Sequence, residues 1–178
     1  MSKLKLIVAD SAALTNSAAA TVMTKSDATT YELVYAAGSL PVDSQRGFIL
    51  RVRAAVHATS VNSTDTLAII LQVGKTGTMT TVAATAAVDA TDEDVYWLES
   101  DIIFRTTTTF YSCGRGQYTG LTAPQLTFTK ATAYDPASDF RAQITCTWSA
   151  ASASDSCKVA FLSGEIIALD PNATAALS

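Results

Sequence analysis

The one histidine, His57, is the first place to look for chemistry, because a neutral imidazole is the usual base that activates a serine or cysteine nucleophile. It stands in "FILRVRAAVHA", where apolar and polar residues alternate, and that pattern puts it on the polar side of a strand. No serine sits in a GxSxG elbow, so a hydrolase triad is not expected and His57 reads as a half-exposed strand residue. Glu99 and Asp101 share a strand face beside Trp97, the residue types of a glycosidase carboxylate pair. Same-face acids more often form a solvated surface, and here they are expected to meet Arg51 or Arg53 across strands.

Asp92, Glu93 and Asp94 in "TDEDVY" are oxygen-rich enough for calcium. They lack the spaced ligands and the glycine of an EF-hand loop, which leaves a solvated acidic turn. "GKTGT" holds Gly74, Lys75 and Thr76 like the end of a phosphate loop, but the earlier glycine of GxxxxGK[ST] is missing, and a hairpin turn is expected instead. Cys113, Cys146 and Cys157 are an odd number without CxxC spacing, against both a disulfide framework and a zinc site. Cys146 and Cys157 flank "SAASASD" and are placed to face one another across a hairpin, although reduced thiols are expected. Two sequons, at Asn62 and Asn172, carry meaning only in a secreted protein. No enzyme, no cofactor and no metal is expected.

The elements that hold these residues are strands. "FILRVRAAVHA" places Phe48, Leu50, Val52, Ala54 and Val56 on one face and Arg51, Arg53 and His57 on the other. "DVYWLESDIIFR" alternates Tyr96, Leu98, Ile102 and Phe104 against Trp97, Glu99, Asp101 and Arg105. "FRAQITCTW" does the same with Phe140, Ala142, Ile144, Cys146 and Trp148. "DTLAIILQV" is more continuously apolar, as a central strand covered on both sides would be. "SAALTNSAAATVM" reads as a loop followed by a strand. "QITCTW" and "SCKVAFLSGEIIAL" read as antiparallel partners joined by the Ser/Ala run, with Gly164 marking a bulge or bend. "GSLPVDSQRG", "SVNST", "VDATDED", "GRGQYTGLTAPQ" and "YDPASD" supply the turns, and the Gly-rich loop with Arg115, Gln117 and Tyr118 is the most contact-prone of them.

No amphipathic helix of more than a few turns competes with this pattern, so the expected fold is all-β, an antiparallel jelly-roll-like β-sandwich. At 178 residues one domain is expected over 31–178, with residues 1–30 an N-terminal arm or first strand. Hydrophobic residues make up 48% and charged ones only 16%, against about 25% in an average globular protein, so Thr, Ser, Ala and Asn must cover the surface. That composition suits a life spent against other proteins. The net charge of -4 and the lack of any Lys/Arg run argue against nucleic acid. No apolar stretch approaches the roughly 20 residues that span a bilayer, and "MSKLKLIVAD" has too short an apolar core for a signal peptide. The chain is expected to be made in the cytoplasm without a membrane anchor.

"GFILRVRAAVHATSVNSTDTLAIILQVGKT", "VYWLESDIIFRTT" and "ITCTWSAASASDSCKVAFLSGEI" together resemble a pattern found in small structural proteins of tailed bacteriophages, over roughly residues 30 to 168. The resemblance implies a jelly-roll or related sandwich on the virion. It further implies a capsid decoration (cement) protein on the outer surface of the head, a homotrimer whose partner is the major capsid protein. A fibre or receptor-binding head is the alternative, with residues 113–120, Tyr111 and Tyr118 against the host. A carbohydrate-binding module with Trp97 or Trp148 as its platform is another, although Trp148 falls on the apolar face. Residues expected at a capsid or subunit contact are Lys3, Leu4, Lys5, Leu6, Ile7 and Val8 of the apolar start, with Arg115, Gln117 and Tyr118. The same start also fits an ordinary first strand.

Overall fold

A computed structural model describes residues 3–15, 17–27, 29–40, 48–60, 64–89, 94–119 and 123–168. The described residues contain thirteen strands and no helix. Asp92 and Glu93 of the acidic turn, Asn62 and Asn172 lie outside them. In chain order the strands are β1 (Lys3–Ile7), β2 (Leu14–Thr15), β3 (Thr21–Val22), β4 (Glu32–Tyr35), β5 (Phe48–Thr59), β6 (Thr66–Lys75) and β7 (Thr78–Ala84). Then follow β8 (Val88–Asp89), β9 (Asp94–Phe104), β10 (Phe110–Tyr118), β11 (Gln125–Ala131), β12 (Phe140–Trp148) and β13 (Ser156–Ala168).

All pairing is antiparallel, in two sheets. The larger runs β1-β13-β5-β9-β10-β11, with β2 also on β13. The smaller runs β3-β12-β6-β7, with β4 on β12 and β8 on β6. The protein is an antiparallel jelly-roll-like β-sandwich. Its core is made by the inward residues that alternation predicts: Leu50, Val52, Ala54 and Val56 from β5 and Leu98 and Ile102 from β9 meet Ile69 and Leu71 from β6 and Ile144 and Trp148 from β12. Burying these apolar faces against each other, at about 25 cal/mol per Å², is what holds the two layers together.

Several expectations need correcting. "DTLAIILQV" is not covered on both sides: β6 alternates buried and half-buried residues, with Ala68, Ile70 and Gln72 on its outer face. Cys146 and Cys157 do not face each other across a hairpin, because β12 and β13 belong to different sheets and the Ser/Ala run crosses the edge of the sandwich between them. The segment 113–118 is not a loop but the second half of β10. The "SAALTNSAAATVM" segment forms the two-residue strands β2 and β3. The "GKTGT" turn does close a hairpin, β6–β7, with Gly77 at φ 81.

The irregularity in β13 lies at Val159/Phe161, four residues before the glycine that was expected to mark it. One extra residue there reverses the parity, so Cys157 and Val159 point inward before it and Leu162 and Gly164 after it. Gly164 is required for a different reason. A Cβ on it would stand 1.9 Å from the Tyr35 hydroxyl, which crosses the core from β4. That hydroxyl is buried and makes no hydrogen bond. Gly164→Ala is therefore expected to cost about 1–3 kcal/mol as an overpacked core does. Tyr35→Phe should relieve most of that cost while changing stability little by itself, since the lost oxygen is unpaired. A double-mutant cycle in urea measures it, and additive effects of the two changes would show that they do not meet.

Candidate functional site

The outer faces of the two sheets differ in chemistry. On the smaller sheet, polar side chains satisfy each other: Gln143 donates to Gln72 at 3.0 Å, Thr145 donates to the same Gln72 oxygen at 3.1 Å, and Arg141 pairs with Glu32 at 2.5 Å. On the larger sheet, apolar side chains reach solvent. Among the described residues every exposed large hydrophobic belongs to its strands except Val8, which directly follows β1. They include Leu4 and Leu6 of β1, Trp97 and Ile103 of β9, Tyr111 of β10, and Leu126 and Phe128 of β11, with Phe128 at 72% exposure.

Register orders this face into rows that run across the strands. One row reads Lys130, Tyr111, Ile103, Ile49 and Ile167. The next reads Phe128, Cys113, Asp101, Arg51, Glu165 and Leu4, and the third Leu126, Arg115, Glu99, Arg53, Ser163 and Leu6. A fourth holds Gln117, Trp97, Ala55 and Phe161, with the Trp97 and Phe161 rings edge to face at 5.2 Å. Two apolar rows thus enclose two rows whose centre is charged.

The charges neutralise one another in place. Arg51 holds both oxygens of Asp101, at 2.7 and 2.8 Å, and Arg53 donates to Glu99 at 2.6 Å. Glu99 also accepts from Arg115 at 3.1 Å. The expected meeting of Glu99 and Asp101 with Arg51 and Arg53 across strands is what the register delivers. A carboxylate engaged this way is a poor candidate for acid–base work, because its lone pairs are held by guanidinium groups. Between Ile103, Tyr111, Phe128 and Lys130 lies a shallow depression of about 410 Å³.

The orientation of β10 and β11 follows from what lies beneath them. The backbone of β7 comes so close that a Cβ on Gly114 would stand 1.7 Å from the Val82 carbonyl oxygen, and one on Gly116 2.2 Å from that of Ala84. Beyond Phe110, where β10 and β11 lie over β7, the inward residues are small or slender: Ser112, Gly114 and Gly116 on β10 and Thr127 and Thr129 on β11. Thr129 donates to the Thr81 carbonyl at 3.0 Å and ties the edge of the larger sheet to the smaller. Leu126 and Phe128 are consequently turned to solvent, the reverse of what their apolarity suggests.

The expected contact residues divide. Leu4, Leu6, Arg115 and Gln117 lie on this outer face, on β1 and β10, and Val8 is exposed beyond β1. Lys3 is in β1, but its side chain is outside the described residues. Lys5 turns the other way, to the Val34 carbonyl, with its ammonium 4.7 Å from the centre of the Tyr35 ring. Ile7 packs on the core, and Tyr118 stacks on buried Tyr96 at 5.7 Å. Ile103, Leu126 and Phe128 were not singled out by sequence, and Tyr111 was named only for the receptor-binding alternative. For Leu126 and Phe128 the signal was alternation in "QLTFTKA", which marks a strand but not which side of it faces solvent.

The remaining candidates disperse. His57 is exposed on the same face, between Val95 and Lys158 in register. Among the described residues no cluster of three or more His, Cys, Asp or Glu side chains is arranged to hold a metal ion. Trp148 is 1% exposed and serves the core, while Trp97 is 37% exposed. Cys146 and Cys157 meet inside the sandwich, and a hydrogen bond with Cys157, with burial second, pushes the Cys146 thiol well up from its ordinary value. A thiol held protonated is not a nucleophile. A disulfide-exchange reagent is expected to titrate Cys113 alone in the folded protein and all three cysteines after unfolding. Rapid reaction of two or three thiols under native conditions would contradict the packing of the buried pair.

No protein-family model matches the chain, and no curated protein matches it. Among solved structures it is similar to peanut lectin with a 9mer peptide, at 7% identity and a TM-score of 0.41, over 96% of this chain and 99% of that one. It is similar to winged bean acidic lectin complexed with methyl-alpha-D-galactose, at 8% identity and 0.42, over 96% and 100% of the two chains. A third is the CBM2 module of the evolved Dit of Lactobacillus casei BL23 phage J-1, at 10% identity and 0.34, over 78% and 69%. The sandwich assignment stands on this chain's own strand pairing, and these likenesses transfer nothing about binding.

Proposed function

We propose that this protein is a non-catalytic structural module with a contact surface on the outer face of the larger sheet, and that it serves as a decoration protein on the outside of a tailed-phage head, bound to the major capsid protein. The observation that carries the contact reading is that, among the described residues, every exposed large hydrophobic but Val8 lies on that one sheet. Exposed apolar side chains gathered on one face in this way mark a site of macromolecular contact. The phage assignment rests on the resemblance of the sequence to tailed-phage structural proteins. A protein that binds only the assembled shell stabilises it by mass action. Immunogold electron microscopy of virions that carry this protein tests the location: gold over the heads is expected, and gold at the tail tip would favour the receptor-binding alternative.

A second reading, a carbohydrate-binding module, is favoured by Trp97, the exposed one of the two tryptophans, whose indole is a surface on which a sugar ring can stack. The flat surroundings favour it less, because Glu99, Arg53 and Arg115 beside Trp97 spend their hydrogen bonds on each other. Quenching of tryptophan fluorescence by mono- or oligosaccharides, lost in Trp97→Ala, would establish this reading and displace the first.

A further inference from the structure

The outer face of the larger sheet is complementary to itself, and we propose that its occupant is a second copy of this chain, packed face to face about a two-fold axis that runs parallel to the strands between β5 and β9. The proposal rests on the reading of this face as a contact surface and names what covers it.

The axis is set by the register. Six strands lie across the face in the order β1, β13, β5, β9, β10, β11, so a two-fold between the central pair sends β5 onto β9, β13 onto β10 and β1 onto β11 of the other copy. The arginines are on β5 and the acids opposite them are on β9. Arg53 then faces Glu99 of the second copy in the same row, and Arg51 faces Asp101. Each in-plane pair becomes part of a four-charge cluster of alternating sign, which lowers the cost of removing it from water. A two-fold at right angles to the strands would instead set Glu99 against Asp101 and Arg51 against Arg53, and like charges reject it.

The same axis matches the apolar margins. Leu126 and Phe128 at the β11 edge fall on Leu6 and Leu4 at the β1 edge of the second copy, since they share their rows. Tyr111 and Ile103 fall on Ile167 and Ile49. The depression beside Phe128 receives Leu4 and Ile167 of the second copy. Packed sheets cross at about 30°, which slides the margins by roughly one row, and both margins carry two successive apolar rows to absorb it.

The area suffices. Five strand spacings of about 4.8 Å by six residues of about 3.4 Å give a footprint on the order of 500 Å², or roughly 1,000 Å² for both copies before side-chain relief is counted. That reaches the size at which specific interfaces begin, about 1,000–1,200 Å². The contact is isologous, so it closes at two copies and leaves the smaller sheet and the loops free for a shell. A three-fold assembly would need a different patch.

Sedimentation equilibrium of the purified full chain is expected to show a dimer at tens of micromolar. Phe128→Lys and Leu4→Glu should each weaken it at least tenfold. An equimolar mixture of the two variants should recover a heterodimer, because the ammonium introduced on β11 of one copy then meets the carboxylate introduced on β1 of the other. In a Cys113→Ser background, Leu4→Cys with Phe128→Cys should be joined into covalent dimers by a short bismaleimide. The two positions are about 24 Å apart within one copy, beyond such a linker. A monomer at these concentrations overturns the proposal, as does a dimer indifferent to both charge variants or a failure to cross-link. A monomer that still labels phage heads would leave the decoration reading standing, whereas a dimer that labels no particle would remove that reading and keep the two-fold.

Discussion

Replacing Phe104 by alanine is expected to destabilise the fold by about 3–5 kcal/mol, as large-to-small changes at buried aromatic sites do. Phe104 ends β9 and is the hub of the aromatic end of the core. Its ring lies 5.3 Å from Phe48, 4.9 Å from Tyr134, 5.4 Å from Phe140 and 6.0 Å from Phe110, between centroids. Phe48 and Phe110 belong to the larger sheet and Phe140 to the smaller, so the one ring bridges the layers and the connection that carries Tyr134. Alanine would strip edge-to-face contacts from several neighbours at once and leave a void their stiff rings cannot fill. A small domain holds only about 5–15 kcal/mol of stability, so this variant should sit near the limit of folding. Urea denaturation followed by tryptophan fluorescence reads the loss. A cost under about 1 kcal/mol would mean that the cluster is not packed as described.

Gly114→Ala is expected to reach the upper end of overpacking costs, about 3 kcal/mol. The added methyl would meet backbone, the Val82 carbonyl at 1.7 Å, and backbone has no rotamer into which to retreat. β10 and β7 would have to separate, taking the Thr129–Thr81 hydrogen bond and the facing of β11 with them. The same substitution at Gly77, which has open space around it, tests backbone freedom alone at φ 81 and should cost about 1–2 kcal/mol. Thermal unfolding of the two variants side by side separates the effects, and equal melting temperatures would count against close packing of the two edges.

Both changes bear on the proposed contact face. The tight approach of β7 beneath β10 is what turns Phe128 and Leu126 outward, so Gly114→Ala should weaken self-association as well as the fold. Phe104→Ala acts at the far side of β9 and should spare association in whatever fraction remains folded. Comparing the two by sedimentation distinguishes a local effect on the face from general loss of structure.

The alternation in β5, β9 and β12 was legible because side-chain direction along an extended chain has a period of two, a local property that needs no partner. From it came the all-β class, the inward set from Leu50 to Trp148 and the outward set of Arg51, Arg53, Glu99 and Asp101. Their pairing could also be anticipated, since opposite charges on neighbouring strands seek each other. Pairing order was not legible, because "QITCTW" and "SCKVAFL" look like hairpin partners whether the Ser/Ala run turns within one sheet or crosses to the other. The bulge at Val159/Phe161 was hidden for the same reason, since an extra residue shows only against its partner strand.

The sequence by itself determined a sandwich, its main core residues and the absence of a recognisable catalytic motif, all through local periodicity and residue type. The tertiary structure decided the rest: that Gly114 and Gly116 are strand residues beneath which another backbone passes, that Thr127 and Thr129 face inward while Leu126 and Phe128 do not, and that Arg51 and Asp101 lie midway between two apolar margins. Each depends on the distance between chain segments far apart in sequence, and that distance is fixed only when the sheets close on each other.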